Sequence, residues 1–396
     1  MTLSATTLTF GSRVASALLG LDQLFRTESG DDDGLVVVNL GAGGHLHPAP
    51  FATYREARSA FGELGRAADS LPEPDRRVYY ADLIESSQAF IDWRDGGLPF
   101  EAQLSRFLHV PAAPVADSEL DALRGVLRDQ LTRLGYQGSL ATQASEWETR
   151  NRVAPEDVPA ELARLLDAAW DRTEATLLPI PAAKSDGMRV AGVSGVAFNA
   201  RCNYLERTVE LNTDPTLTRA GLKHLAVHEG YPGHYLQFKL RQTLYQQGRS
   251  PADGLLSVVN TASSSVFEGI ADAGMTMIDW HDGGDDAVQA TATRYRSGIA
   301  TGAAWRLHAL KWSPGRVADW LRSVTLLGGE GWVANRMAFI SAPARAALIW
   351  SYWWGEPAVT AAWKAVAVED RPDFLEFLHG RMHSNRSVAM FGSTKA

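Results

Sequence analysis

The sequence predicts a mainly α-helical protein with one small β element near residues 188–212. Three observations lead there. Apolar residues recur at steps of three and four through most of the 396 residues, the period of an amphipathic helix. Ser, Asp or Pro at the start and Gly near the end bracket several of these stretches. Only at 188–212 does the pattern become short and alternating.

Taken in order, the chain opens with a helix over Val14 to Arg26. The run LVVVNLGAGGHLHP follows. Its glycines do not make the dinucleotide fingerprint, and Pro48 and Pro50 stand where a helix should open. His45 and His47 share a face if extended, but read more simply as loop histidines. Residues 52–178 form a succession of helices in which Tyr79, Tyr80 and Trp93 are expected as core or interface aromatics. In MRVAGVSGVAFNARCNYLERTVELN, Val190 to Phe198 is one extended run. Leu205, Val209 and Leu211 mark another, and together they suggest a hairpin. The next helix is expected to be capped by Thr213 or Asp214, with Pro215 in its first position. Residues 251–390 return to helices, with ADGLLSVVNTASSSVFEGIADAGMTMIDW read as one or two. Because the β element sits between two helical blocks, one large domain over 1–396 is expected. Residues 1–180 serve it as scaffold and 185–390 carry its chemistry.

A hydrophobic content of 45% with 21% charged residues is ordinary for a soluble globular chain. The net charge of −8, with no basic block, argues against nucleic acid as a partner. Cys202 is the lone cysteine, so no internal disulfide forms, and a small buried hydrophobe is its simplest reading; a nucleophile is the alternative. No run is long and apolar enough to span a membrane, and no basic residue precedes Arg13. A mature cytoplasmic protein is the expectation.

The chemistry concentrates in His228-Glu229-Gly230-Tyr231-Pro232-Gly233-His234. Catalytic zinc takes three ligands from His, Glu, Asp or Cys and keeps an open position for water. The common helical solution sets two histidines four apart, with Glu after the first. Here the second histidine is six on, about 120° off-face and about 9 Å along an ideal helix. Zinc binding therefore requires the helix to be broken or widened at 230–233. Pro232 removes an amide donor, and Gly230 and Gly233 free the backbone. The competing reading ends the helix at Gly230 and starts another at Pro232, with both histidines in solvent. The best third ligand is Glu268, with Asp272 one turn on to accept a hydrogen bond from a liganding imidazole. Their small, uncharged surroundings argue against a solvated acidic pair. His224 and His228 form a lesser alternative pair. His308 is a candidate oxyanion donor, and Arg294, Arg296 and Arg345 are candidates to hold a substrate carboxylate.

The pattern H-E-x-x-P-G-H-x-x-Q, His228 to Gln237, followed by E-G-x-A, Glu268 to Ala271, resembles the bacterial domain-of-unknown-function 885 family. That family is placed among zincin-like metallopeptidases, and the resemblance covers about residues 185–390. It implies a large helical zincin-like fold and a Zn2+ cofactor. His228, His234 and Glu268 would be the ligands, Glu229 the general base and Asp272 the support behind a ligand. Members often carry His where this chain has Tyr235. The resemblance also points to Tyr352, in Ser351-Tyr352-Trp353-Trp354-Gly355, as an oxyanion donor; core packing is the alternative for so aromatic a stretch.

The expected activity is zinc-dependent hydrolysis of a peptide bond, with Glu229 activating water and Tyr352 or His308 stabilising the oxyanion. The 204–212 strand would align an extended peptide by main-chain pairing. A hydrolase or biosynthetic enzyme acting on a small amide or ester is the second reading, and a non-catalytic helical binding protein the third.

Overall fold

The computed structural model describes residues 3–30, 34–41, 44, 46–177 and 187–392. Helices account for most of it. In the first half they are α1 (Ala5–Ser29), α2 (Tyr54–Ala68), α3 (Pro74–Gly96), α4 (Phe100–Phe107), α5 (Asp117–Arg133), α6 (Leu140–Asn151) and α7 (Val158–Leu177). The second half carries α8 (Arg219–Leu225), α9 (His234–Gln246), α10 (Ser264–Met277), α11 (Gly284–His308), α12 (Pro314–Val324) and α13 (Gly329–Ser341). It ends with α14 (Pro343–Ala346), α15 (Ser351–Ala365), α16 (Arg371–Gly380) and α17 (Asn385–Val388). The strands are β1 (Val36–Asn39), β2 (Arg189–Val193), β3 (Ala200–Asn203), β4 (Thr208–Asn212) and β5 (Leu256–Val258). The fold is mainly α with small sheets, as the periodicity predicts.

The first helix is longer than expected. Ser4 caps it by accepting from the Thr7 amide, and Gly30 ends it in the left-handed region at φ 64°. Its apolar face, including Val14, Leu18, Leu21 and Phe25, is buried. Tyr79 and Tyr80 are core residues, and the Tyr80 hydroxyl donates to buried Asp253 at 2.8 Å.

The β element differs from the expected hairpin. Val209 and Leu211 do point into the core from β4. However, the antiparallel partner of β4 is β3, through Cys202↔Val209, and β2 joins the other side of β4 in parallel. Leu205, read as part of the strand, is exposed in the connecting turn. Because β4 is central, both of its edges are already paired, and it cannot align a peptide as expected. A second, two-stranded sheet pairs β1 with β5, so part of 251–280 is strand rather than helix.

The helix that leads to the motif begins at Arg219, not at Pro215. Thr218 is the cap, accepting from the Gly221 amide at 3.0 Å. Asp214 instead accepts the Gly195 amide hydrogen at 2.7 Å and pins the β2–β3 connection. His45 and the Ala42-Gly43 pair lie outside the described residues.

One buried cluster joins α1–α4 to α11–α15, through residues such as Phe90, Phe107, Ile299 and Trp350. A second joins α7, the three-stranded sheet and α8–α10 to α16. The N-terminal helices thus share a core with the C-terminal ones. The site lies where the second cluster meets α10, α11, α13 and α15.

Candidate metal centre

The expected widening occurs, centred slightly earlier than 230–233. After α8 the chain makes a π turn over Ala226–Gly230. The Tyr231 amide donates to Ala226 O five residues back at 3.3 Å, and the Gly233 amide reaches Val227 O at 3.0 Å. The helix then stops, and α9 starts afresh at His234. So the helix does end at Gly230, but the histidines do not face solvent. Both are buried, with ring centroids 4.7 Å apart and nearly perpendicular.

Gly233 is required by this return of the chain. A Cβ there would lie 2.0 Å from His228 O and 2.3 Å from Val227 O. His379 of α16 adds a prop, its Nε2 bonded to Pro232 O at 2.8 Å. Burial leads in lowering the His379 pKa to about 4, so its ring is neutral at ordinary pH.

Glu268 of α10 faces the pair, with Oε2 3.5 Å from His228 Nε2 and 3.6 Å from His234 Nε2. That oxygen is buried and has no hydrogen-bond partner, an arrangement that calls for a cation. Tetrahedral bonds of about 2.1 Å give ligand-to-ligand edges of about 3.4 Å. The residues therefore fit zinc. Asp272, one turn along α10, meets His228 Nδ1 at 2.8 Å and fixes the ring so that Nε2 faces Glu268. Burial opposes charging His228, yet Asp272, with help from Glu268 and Glu229, holds its pKa well above the ordinary value. Burial likewise works to raise Glu268, and the two imidazoles reverse this and lower it. Surroundings that favour an imidazolium also favour a divalent cation in the proton's place.

His234 is oriented from below. Its ring stacks on Phe267 at 4.3 Å, and Gln237 Nε2 lies 3.3 Å from Nδ1. Buried Arg241 holds that amide, donating to Gln237 Oε1 at 3.1 Å. His224, the lesser candidate, sits 3.4 Å from Asp272 and makes with His228 and Asp272 a second group of close ligand atoms, but there Asp272 is already bonded to His228 Nδ1.

Glu229 follows His228 in the π turn and lines a cavity of about 180 Å3, together with His228, Asp272 and Tyr352. The cavity is bounded on one side by the Ala197–Ala200 segment leading into β3. Asn212 and Asn335 both donate to Val196 O and Phe198 O, which fixes that segment against α13. Tyr352 arrives through a backbone contact between helices. A Cβ on Gly355 would lie 1.9 Å from Ser265 O, and one on Gly269 would lie 2.3 Å from the Gly355 backbone. Burial, then the charge of Glu268, raise the Tyr352 pKa well above its ordinary value, so the phenol keeps its proton.

Three other expected positions, His308, Arg294 and Arg345, do not line the cavity. His308 does not line the cavity; its Nε2 bonds Ile340 O at 2.7 Å and its ring packs on Phe100. It is a packing histidine rather than an oxyanion donor. Arg294 stacks over Trp353 and donates to its carbonyl, and Arg345 lines no part of the cavity. Arg296 does line it, as does Arg336, which sequence reasoning missed. Nothing in ANRMAFI distinguishes Arg336 from a surface arginine on an amphipathic helix. Cys202 is buried, and burial with the nearby Glu229 raises its thiol pKa well above the ordinary value, the reverse of an activated nucleophile.

No protein-family model and no curated protein sequence matches the chain. Two of the solved structures that share its fold are described as lipoproteins. One is described as "the putative lipoprotein from Colwellia psychrerythraea", with TM-score 0.55 and 12% identity over 84% of this chain. The other is "a putative lipoprotein of unknown function from Shewanella oneidensis", with TM-score 0.50 and 11% identity over 85% of this chain. The match spans 58% of the Colwellia chain and 71% of the Shewanella chain. Among the described residues no helix is long and apolar enough to cross a membrane.

Proposed function

We propose that this protein is a zinc-dependent hydrolase of the metallopeptidase type, with His228, His234 and Glu268 as ligands and Glu229 as general base. The observation that carries the reading is the buried, unpartnered Glu268 Oε2 held between two imidazole nitrogens. The motif's resemblance to the domain-of-unknown-function 885 family supports the same assignment.

Bound zinc supplies a Lewis acid and brings the pKa of water towards about 7. Glu229 takes the proton of the attacking water and returns it to the leaving amine. No hydrogen bond among the described residues engages its carboxylate, which therefore stands free for that task. Tyr352 donates a hydrogen bond to the oxyanion, and its raised pKa keeps the donor proton in place. Asp272 accepts from His228 Nδ1–H and holds the ring in one tautomer.

The cavity of about 180 Å3 favours a small amide or ester as the second reading of the substrate. The lone buried Cys202 keeps a cytoplasmic location within this proposal, and the lipoprotein descriptions of the two neighbours supply the competing one. Fractionation of cells making the full chain separates these.

The decisive test combines metal analysis with Glu229→Gln. The wild type is expected to purify with one zinc per chain and to hydrolyse members of a peptide and small-amide library. Glu229→Gln should keep the zinc and lose roughly 10²- to 10⁴-fold in turnover. Full turnover in the zinc-loaded variant rejects the base assignment, and a wild type without stoichiometric metal rejects the reading as a whole.

A further inference from the structure

The cavity that reaches Glu229 and Tyr352 is also lined by two arginines, Arg296 from α11 and Arg336 from α13. Arg336 lies 5.6 Å from the Trp332 ring centroid and 5.5 Å from that of Phe339. Its Nε is buried with no hydrogen-bond partner. No carboxylate among the described residues pairs with it; the groups that act on it are the Tyr352 phenol and Arg296, a like charge. Arg296 feels Glu148, but that carboxylate accepts the Gly328 amide hydrogen at 2.6 Å and forms no ion pair with the arginine. Burial is the main force lowering both arginine pKa values, and for Arg336 the result is still about 10. Arg336 is therefore charged at neutral pH, and a guanidinium group such as that of Arg296 carries its proton throughout the physiological range.

Glu148, Glu229 and Asp272 also line the cavity, but among the described residues neither arginine forms an ion pair with a carboxylate, and two neighbouring, partly desolvated cations left so are costly unless a ligand supplies a direct partner. The guanidinium fork suits a carboxylate, which it can hold by two parallel hydrogen bonds. The position is informative too. Tyr352 is within electrostatic reach of Arg336 and also of Glu268 and Glu229. Arg296, Arg336, Tyr352 and Glu229 line one cavity, so an anion on the arginines shares it with the phenol and the proposed base. The cavity volume of about 180 Å3 falls below the roughly 300–1,000 Å3 of drug-sized sites.

We propose that Arg296 and Arg336 form a subsite for the free carboxylate of the substrate, which is an N-acyl amino acid or short peptide cleaved next to its C-terminal carboxylate. This rests on the hydrolase reading above and narrows its substrate class. Water adds to the acyl carbon and the C–N bond breaks. The proton taken by Glu229 goes to the departing amino group. The products are the carboxylic acid and a free amino acid whose carboxylate stays on the arginines until release.

The test uses the full-length wild type, as purified and after chelation. Binding of an N-acetyl dipeptide, its C-terminal amide and inorganic phosphate is measured by calorimetry, and hydrolysis of the two peptides is followed in parallel. The free acid is expected to bind roughly 10- to 100-fold tighter than the amide, with or without chelation, since hydrogen bonds to a charged group are lost in the amide. Arg336→Met should erase this preference, and Arg336→Lys should restore part of it. Equal binding of acid and amide by the wild type overturns the subsite without any variant. So does tighter binding of phosphate than of the acid. Selective acid binding without hydrolysis upholds the subsite and removes the hydrolase reading. Equal hydrolysis of acid and amide upholds the hydrolase and removes the subsite.

Discussion

Replacing Gly233 by Ala tests whether the His228–His234 geometry depends on the return of the chain at 230–233. The added methyl would sit 2.0 Å from His228 O and 2.3 Å from Val227 O, where ordinary contact begins near 3.4 Å. Both obstacles are backbone, so the π turn and the start of α9 must separate by about 1.4 Å, the difference between the two distances. The ligand edges to Glu268 are 3.5 and 3.6 Å, so a shift of that size is a large fraction of the site. Overpacking of this kind costs about 1–3 kcal/mol in stability. Zinc affinity should fall by at least about 100-fold, the upper end of the loss from disturbing support around a ligand. Where zinc is in excess, that loss removes about 2.7 kcal/mol of zinc-linked stabilisation. The assay is chelator competition, with melting curves recorded with and without zinc. Gly125→Ala is the control: it lies in α5, where a Cβ meets nothing within 4 Å. There alanine should stabilise by roughly 0.5–1 kcal/mol. A Gly233→Ala protein that binds zinc and melts like wild type would refute the argument.

Three further outcomes are expected. Tyr352→Phe should lower kcat about 100-fold while leaving zinc content intact, as loss of one oxyanion donor does; an unchanged kcat assigns Tyr352 to packing alone. His379, with a folded pKa of about 4 against an ordinary 6.5, favours the neutral ring when folded, so its stabilising contribution is complete above pH 6.5 and is lost as pH falls towards 4. Between pH 8 and pH 5 the wild type should therefore lose about 2 kcal/mol more than His379→Gln in urea unfolding, and equal losses would remove His379 as the cause. Gly355→Ala would set a methyl 1.9 Å from Ser265 O, so it should push α15 off α10 and depress zinc affinity and kcat together, measured by chelator titration and initial rates.

What was legible in the sequence was local. The six-residue step from His228 to His234 forbids a regular helix across a shared ion, and Pro232 with Gly233 marks the stretch where it yields. The i, i+4 spacing of Glu268 and Asp272 on a small-residue helix gave one carboxylate facing both imidazoles and another behind His228. The errors were about distant partners. Nothing in LVVVN predicts pairing with Leu256–Val258, because register across so long a separation is set by the packed core. Thr213 and Asp214 are the caps that the local sequence offers, but the Asp214 carboxylate accepts the distant Gly195 amide hydrogen, and Thr218 starts the helix instead. His308 and Arg336 carry similar sequence signals. Only packing separates a histidine turned onto Phe100 from an arginine turned into the cavity.

The glycine contact between α10 and α15 has a consequence for how such a site can change. Glu268 is next to Gly269, and Tyr352 lies one turn before Gly355, so carboxylate and phenol sit beside the point where two backbones touch. No side chain intervenes there to be enlarged or trimmed, and the spacing between these two groups cannot drift by ordinary substitution. The opposite wall, Ala197–Ala200, is loop and strand end fastened by the amides of Asn212 and Asn335. A change in what the cavity accepts would therefore arise on that wall and at the arginines, while Glu268 and Tyr352 keep their distance.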